Sequence, residues 1–320
     1  MAKTSKPTFI MLALAFLGVV IGVFARQPIM ELFQEKPAPP PTIKLPPTPE
    51  EVAKPHLSWA DQECERVVED HLRAIDMFFA DSKKNTRPFA DEALSWGSKW
   101  RLIVDYVPFT SGGRHETFIR GKFEEYVFKP SQLEDAIRQV VASYLKHVES
   151  IEGQMLVRVR ADVADFPSTY LIAQIDESKL QSTYDEALSR AMEATGSNLR
   201  NDIATELVSI ITGEVLAQVA VRLGVSAGIL GTGAASSWAT LGIGLVVGLI
   251  VDQIISWVWD WYADQKGNLA AELNGKLDEI NRLIVDGSDD VQGLRERLRA
   301  FAKERATVRS QAVLAILQPQ

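Results

Sequence analysis

A run of 29 residues without a charged side chain, between Arg222 and Asp252, constrains this chain more than any other feature. A segment that long and that apolar is normally buried, either in lipid or in a protein core. Its glycines include two pairs with G-x-x-x-G spacing, which lets two helix backbones approach closely: Gly224 with Gly228, and Gly244 with Gly248. The sequence therefore predicts a helical hairpin with arms at about 205–230 and 238–262.

Aromatic residues mark both ends of the second arm. From Trp238 to Trp257 is 19 positions, which corresponds to about 28 Å of helix. The hydrocarbon core of a bilayer is about 30 Å thick, and Trp and Tyr concentrate at its two faces. The pattern predicts membrane-interface side chains at Trp238 and at the C-terminal cluster of Trp257, Trp259, Trp261 and Tyr262.

Asp252 conflicts with a simple membrane span. It precedes Trp257 by five residues, which would place an intramembrane carboxylate about 7 Å below the interface, at a cost of about 3 kcal/mol unless it is paired or hydrated. Three interpretations remain open: a membrane hairpin or single second span, a hairpin buried in a helical bundle, and a hairpin that switches between these states. The buried alternative resembles the architecture of pore-forming colicin domains, where amphipathic helices surround an Ala/Gly-rich apolar pair. That resemblance covers at most residues 180–310.

A second apolar run, at residues 9–24, lies near the N-terminus behind Lys3 and Lys6. Its length and its basic flank predict a membrane anchor whose N-terminus is cytoplasmic and whose following chain is exported. A cleaved signal peptide is the alternative, with Val23 and Ala25 as the small residues of a cleavage site.

Composition divides the chain into five parts. A Pro-rich stretch favours an extended polyproline II spacer, and the segments on either side of the apolar hairpin show helical spacing of apolar residues. The predicted parts are an anchor with a short helical extension (1–35), a Pro-rich linker (36–56), an acidic helical domain (57–200), the Gly-rich hairpin (201–263) and a helical tail (264–320).

Helical periodicity predicts a mainly α fold. A helix is expected from about 58 to 81, and a longer one carries an apolar stripe from Ile137 to Val159. The tail is predicted as two helices around a loop at 287–290, with no β-hairpin anywhere. Six basic residues at 294–310 are expected on a solvated helix face with i,i+4 ion pairs, or against anionic lipid.

Composition and motifs give little sign of catalytic chemistry. The net charge of −8 disfavours nucleic acid as a partner, since such proteins normally carry a basic surface. The single cysteine excludes Cys₄ and Cys₂His₂ zinc sites, and no Walker A loop, H-E-x-x-H or G-x-S-x-G motif is present. Cys64 and His71 share a helix face, where we expect them to pack. We predict no catalytic residue, metal site or cofactor.

These features favour a non-enzymatic, membrane-anchored scaffold or assembly subunit of the cell envelope. It would reside in a bacterial-type inner membrane with its main domain in the periplasm. Its expected partners are the lipid bilayer, other proteins that bind its helical faces, and a second copy through the hairpin. A pore or channel with Asp252 on a polar path is the alternative. An enzyme would first be indicated by converging titratable groups within 85–130.

Overall fold

The structure is a computed structural model. It describes residues 47–95, 114–165, 169–195, 204–224, 243–264 and 268–318; within them the side chains of 114–116, 195, 204–207, 243–246, 258–264 and 291 are not described. The predicted anchor, most of the predicted linker and the connection of the predicted hairpin lie outside the described residues.

The fold is mainly helical, as predicted. Long helices follow from the continuous 3.6-residue spacing of apolar side chains, and the predicted stripe of the 137–159 segment is buried along its whole length. In chain order the described helices are α1 (Pro49–Lys83), α2 (Thr86–Ala93), α3 (Arg114–Tyr126), α4 (Pro130–Asp162), α5 (Leu171–Gln174), α6 (Glu177–Thr195), α7 (Ala204–Arg222), α8 (Ile243–Asp264), α9 (Leu269–Val285) and α10 (Leu294–Ile316).

Helices α1, α4, α6 and α10 form the central bundle. The antiparallel pair α1 and α4 makes the most extensive contact, and α10 packs against both α1 and α6. The antiparallel sense of α1 and α4 follows from the pairing of His56 with Asp162 at one end and of His71 with His147 further along. With 35 residues, α1 is about 52 Å long, so it spans the whole bundle.

The helices from the apolar region, α7 and α8, pack against each other and against α4. Their facing side chains are fully buried, among them Val215, Val219, Val247, Ile250 and Ile254. Within the described part of the chain, no helix is both long enough and apolar enough to cross a bilayer.

Helix α1 begins at Pro49, inside the segment that the sequence analysis assigned to an extended spacer. Thr48 and Glu51 form a capping box, in which the Glu51 amide donates to Thr48 Oγ1 (3.2 Å) and the Thr48 amide donates to Glu51 Oε2 (2.7 Å). Pro49 occupies the first helical position, where its missing N–H costs nothing. The prediction of polyproline II up to residue 56 was therefore wrong from Pro49 onward, because Pro49 occurs where a helix start tolerates it and the helix continues through Pro55.

A small β-hairpin connects α9 to α10, where the sequence analysis expected a loop. Strand β1 (Gly287–Ser288) pairs antiparallel with β2 (Val291–Gln292). Gly287 has a φ of 78°, the left-handed region that glycine tolerates best. Strands of two residues are too short to produce an alternating apolar pattern, so periodicity could not reveal them.

Candidate functional site

The charged groups most deeply buried in the described protein meet at the centre of the four-helix bundle. Glu152 of α4 receives two hydrogen bonds from Arg305 of α10, from Nε to Oε1 and from Nη2 to Oε2, both 2.9 Å. Arg309, one turn further along α10, donates from Nη1 to the same Oε1 at 3.1 Å. These side chains are 1%, 6% and 0% exposed, so solvent contributes little to balancing their charges.

Helix α1 completes this arrangement. Asp61 accepts a 2.6 Å hydrogen bond from Arg309 Nη2, and the Cys64 thiol lies 3.5 Å from Arg309 Nη1. We call Asp61, Glu152, Arg305 and Arg309 the core ion cluster. Its two carboxylates and two guanidinium groups sum to zero charge, which is the condition under which burial of ions is tolerated.

Electrostatics in the cluster favour the ion-paired state. Burial is the largest influence on Arg309 and disfavours its charged form, but Glu152 and the other groups around it, including Asp61, together outweigh burial, and the pKa of Arg309 is raised. Burial raises the pKa of the Cys64 thiol and, more strongly, that of the Tyr184 hydroxyl nearby. Both groups are therefore protonated at neutral pH.

The groups of the core ion cluster are arranged to hold helices together. Both oxygens of Glu152 are occupied by guanidinium groups, so Glu152 cannot serve as a general base without breaking its ion pairs. The Cys64 thiol is protonated, whereas a nucleophilic cysteine is a thiolate. The core ion cluster instead ties α1, α4 and α10 together through charged groups.

An open groove of about 980 Å³ lies between α4 and α6, directly over the cluster. Glu152 and Arg305 reach its floor, and Asp185 of α6 lines one wall. Burial raises the pKa of the Asp185 carboxyl, and a 2.9 Å hydrogen bond from Gln181 Nε2 opposes that rise only in part.

Replacing Asp185 by asparagine should stabilise the protein at pH 7 and have no effect near pH 3. The folded state holds the Asp185 proton more tightly than the unfolded state, so wild-type stability falls as pH rises through the raised pKa. Asparagine removes that loss and keeps an acceptor for Gln181. Urea unfolding of both proteins between pH 3 and pH 7 measures the difference, with exposed Asp165→Asn as the control. A gain that does not vary with pH would contradict this assignment.

The five arginines of α10 form ion pairs with other helices, which differs from the solvated face that was expected for its basic residues. Arg295 and Arg299 both bind Glu69 of α1, at 2.6 and 3.0 Å. Arg297 binds Glu214 of α7 at 3.0 Å. Together with the core ion cluster, these contacts use charge to fix α10 against its neighbours.

The four predicted helix-packing glycines lie in different structural environments. Gly224 ends α7 with a φ of 97°, which marks a helix C-terminus. A Cβ at Gly248 of α8 would meet no atom within 4 Å, so none of the described helices approaches closely there. Gly244 lies in the first turn of α8, and Gly228 is outside the described residues. Association of two copies through these glycines stays a prediction.

The predicted interface aromatics are described only at Trp257. This side chain is half-buried against the core, and Lys276 Nζ of α9 lies 4.7 Å from its ring centroid. Trp259, Trp261 and Tyr262 belong to α8 with undescribed side chains, and Trp238 lies outside the described residues. A membrane-interface role for these residues stays a prediction.

Asp252 of α8, the predicted intramembrane carboxylate, is half-buried and forms an ion pair with Arg120 of α3. Arg120 and Asp252 are far apart in the chain, so no local pattern in the sequence links them. Within the protein, the cost of placing a carboxylate in an apolar helix is thus met by a cation.

Comparisons of the chain with protein-family models, with curated proteins and with solved structures found no match. Any function must therefore be argued from the residues and their geometry.

Proposed function

We propose that this chain is a non-enzymatic scaffold or assembly subunit of the cell envelope. In this proposal the apolar run at 9–24 anchors it in a bacterial-type inner membrane, and the helical body acts on the exported side by tethering and by helix–helix association. The anchor rests on the length and charge of the sequence.

One observation supports the scaffold over the pore. The apolar faces of α7 and α8 are buried against each other and against α4 within the chain. Membrane insertion of this pair would require α4 to lose that packing and would separate Asp252 from Arg120. Both changes cost free energy, whereas a tethered body needs neither of them.

The ion pairs of the body support a role as a rigid tethered unit. Helix α1 begins within the predicted linker, at Pro49, and the core ion cluster joins it to α10. The Tyr170 hydroxyl also donates to the Pro47 carbonyl, which fixes the chain just before α1. A pull on the linker would therefore act on the whole bundle through α1.

Membrane partitioning tests the proposal. The full chain and a version of residues 47–320, which keeps the compact unit Pro47–Gln320 whole, are extracted from membranes with alkaline and high-salt washes. We expect the full chain to stay with the membranes and 47–320 to be released. The double variant Leu14→Arg and Leu17→Arg, which disrupts only the apolar run, should behave like 47–320.

Retention of 47–320 after the alkaline wash would contradict the single-anchor scaffold and favour the pore alternative. Conductance in planar bilayers, lost in Asp252→Leu, would then be the next measurement.

A further inference from the structure

Two histidines from different helices face each other at the edge of the α1–α4 contact. His71 Nε2 of α1 lies 3.2 Å from His147 Nδ1 of α4, and the two rings are nearly perpendicular, with centroids 5.4 Å apart. The fully buried Tyr144 ring contacts the His71 ring edge-on at 6.0 Å and so restricts its rotation. The pair is thus held by the packing of the two longest helices.

This pair differs from the other histidine contact between the same helices. His56 bonds the Asp162 carboxylate at 2.7 Å, which is an ordinary anionic partner for an imidazole. His71 and His147 are hydrogen-bonded to each other, and among the described residues no carboxylate hydrogen-bonds to either ring. Two neutral imidazoles can share one proton between them, with one nitrogen as donor and the other as acceptor.

We propose that His71 and His147 form a binding site for a divalent transition-metal ion of the Zn²⁺, Cu²⁺ or Ni²⁺ class, which clips α1 to α4. Imidazole nitrogen is a preferred ligand for these ions. Two nitrogens bound to a tetrahedral zinc at 2.0–2.1 Å lie about 3.3–3.4 Å apart, close to the separation of these two atoms. To bind the metal, the ring that donates in this pair changes tautomer: its proton moves through water to its other nitrogen, so that both facing nitrogens become ligands and both rings stay neutral.

The proposed site is open. No group of three or more His, Cys, Asp or Glu side chains suited to a metal occurs among the described residues, so water or a small ligand fills the remaining positions. A two-imidazole site has modest affinity, and copper binds more tightly than zinc or nickel in such sites. It holds two helices together, which makes it a structural clip.

Copper binding to the full chain in detergent at pH 7.5 tests the site. Electron paramagnetic resonance should detect one Cu²⁺ with two equatorial imidazole nitrogens in the wild type. His147→Gln should retain at most one and bind Cu²⁺ at least tenfold more weakly. The matched control is His56→Gln, which removes a histidine from the same pair of helices and should bind like the wild type. Equal binding by the two variants would overturn the proposal.

Zinc should also stabilise the folded protein, because it binds the folded state preferentially. At a hundredfold excess over its Kd, Zn²⁺ should raise the Tm by about 5 °C. Mg²⁺, which prefers oxygen ligands, should not. The shift should disappear in His147→Gln and persist in His56→Gln, and a shift that survives in both variants would overturn the proposal.

A measurement on the wild type alone covers the case in which His147→Gln does not fold. Zn²⁺ should protect His147 from diethylpyrocarbonate and leave the rate at His56 unchanged, as read by mass spectrometry. Equal rates at His147 with and without Zn²⁺ would overturn the proposal. None of these results depends on the membrane anchor, so the metal site and the proposed function are tested independently of each other.

Discussion

Replacing Glu152 by methionine should lower the free energy of unfolding by about 3–5 kcal/mol, because it leaves two buried guanidinium groups without their shared carboxylate. Arg305 would lose both of the hydrogen bonds that it makes to Glu152. Arg309 would keep only Asp61 as a charged partner. Chemical denaturation followed by circular dichroism measures the loss. The control is Glu149→Met on an exposed turn of the same helix, which should change stability by less than about 0.5 kcal/mol.

The combined replacement of Glu152, Arg305 and Arg309 by Met, Met and Leu should recover most of that loss. Apolar side chains of similar volume avoid the cost of removing ions from water, and such replacements in other proteins are neutral or stabilising by about 1–4 kcal/mol. Asp61 stays half-exposed and can return to water. If the triple variant is as unstable as Glu152→Met, charge balance is not what holds the cluster together. A loss below about 1 kcal/mol in the single variant would show that water reaches the cluster.

Replacing Gly293 by alanine should destabilise the protein by about 2–3 kcal/mol. A Cβ there would lie 2.5 Å from the Gly287 amide nitrogen and 2.6 Å from the Val285 carbonyl oxygen, and backbone atoms that close cannot move aside without distorting the α9–α10 connection. The φ of Gly293 is −76°, which any residue adopts, so the cause is steric contact alone.

Gly275→Ala is the matched control, with the opposite sign. Gly275 lies within α9, and a Cβ there would meet nothing within 4 Å. Alanine should therefore stabilise the helix by about 0.8–1 kcal/mol through its higher helix propensity. Thermal or urea unfolding of both variants checks the pair of predictions. A Gly293→Ala protein as stable as the wild type would mean that the two connecting segments separate readily.

Periodicity predicted the helices because each buries one continuous apolar stripe. The apolar stripe predicted from Ile137 to Val159, on α4, is buried. The predicted start of α1 was too late, because the density of prolines was interpreted as an extended spacer. The Thr48-Pro-Glu-Glu51 sequence carries the signal that was missed, a capping box with proline at the first helical position.

The core ion cluster was not predicted, because charged residues are expected at the surface. A signal was nonetheless present. Arg305 and Arg309 continue the apolar stripe of α10 that runs through Leu298, and Glu152 lies in the stripe of α4 between Val148 and Leu156. Two helices that carry opposite charges in otherwise apolar stripes are candidates for a buried ion pair. Which residue pairs with which depends on register between distant segments, and a single sequence does not supply that register.

The position of the two arginines late in the chain has a consequence for biosynthesis. Arg305 is made 153 residues after Glu152, which corresponds to roughly 8–30 s at 5–20 residues per second. During that interval α1 and α4 can meet only with an uncompensated carboxylate on the face that will become the core. The Glu152 carboxylate must therefore stay hydrated until α10 has been made. We expect the apolar faces of α1 and α4 to stay open to aggregation and proteolysis during that interval.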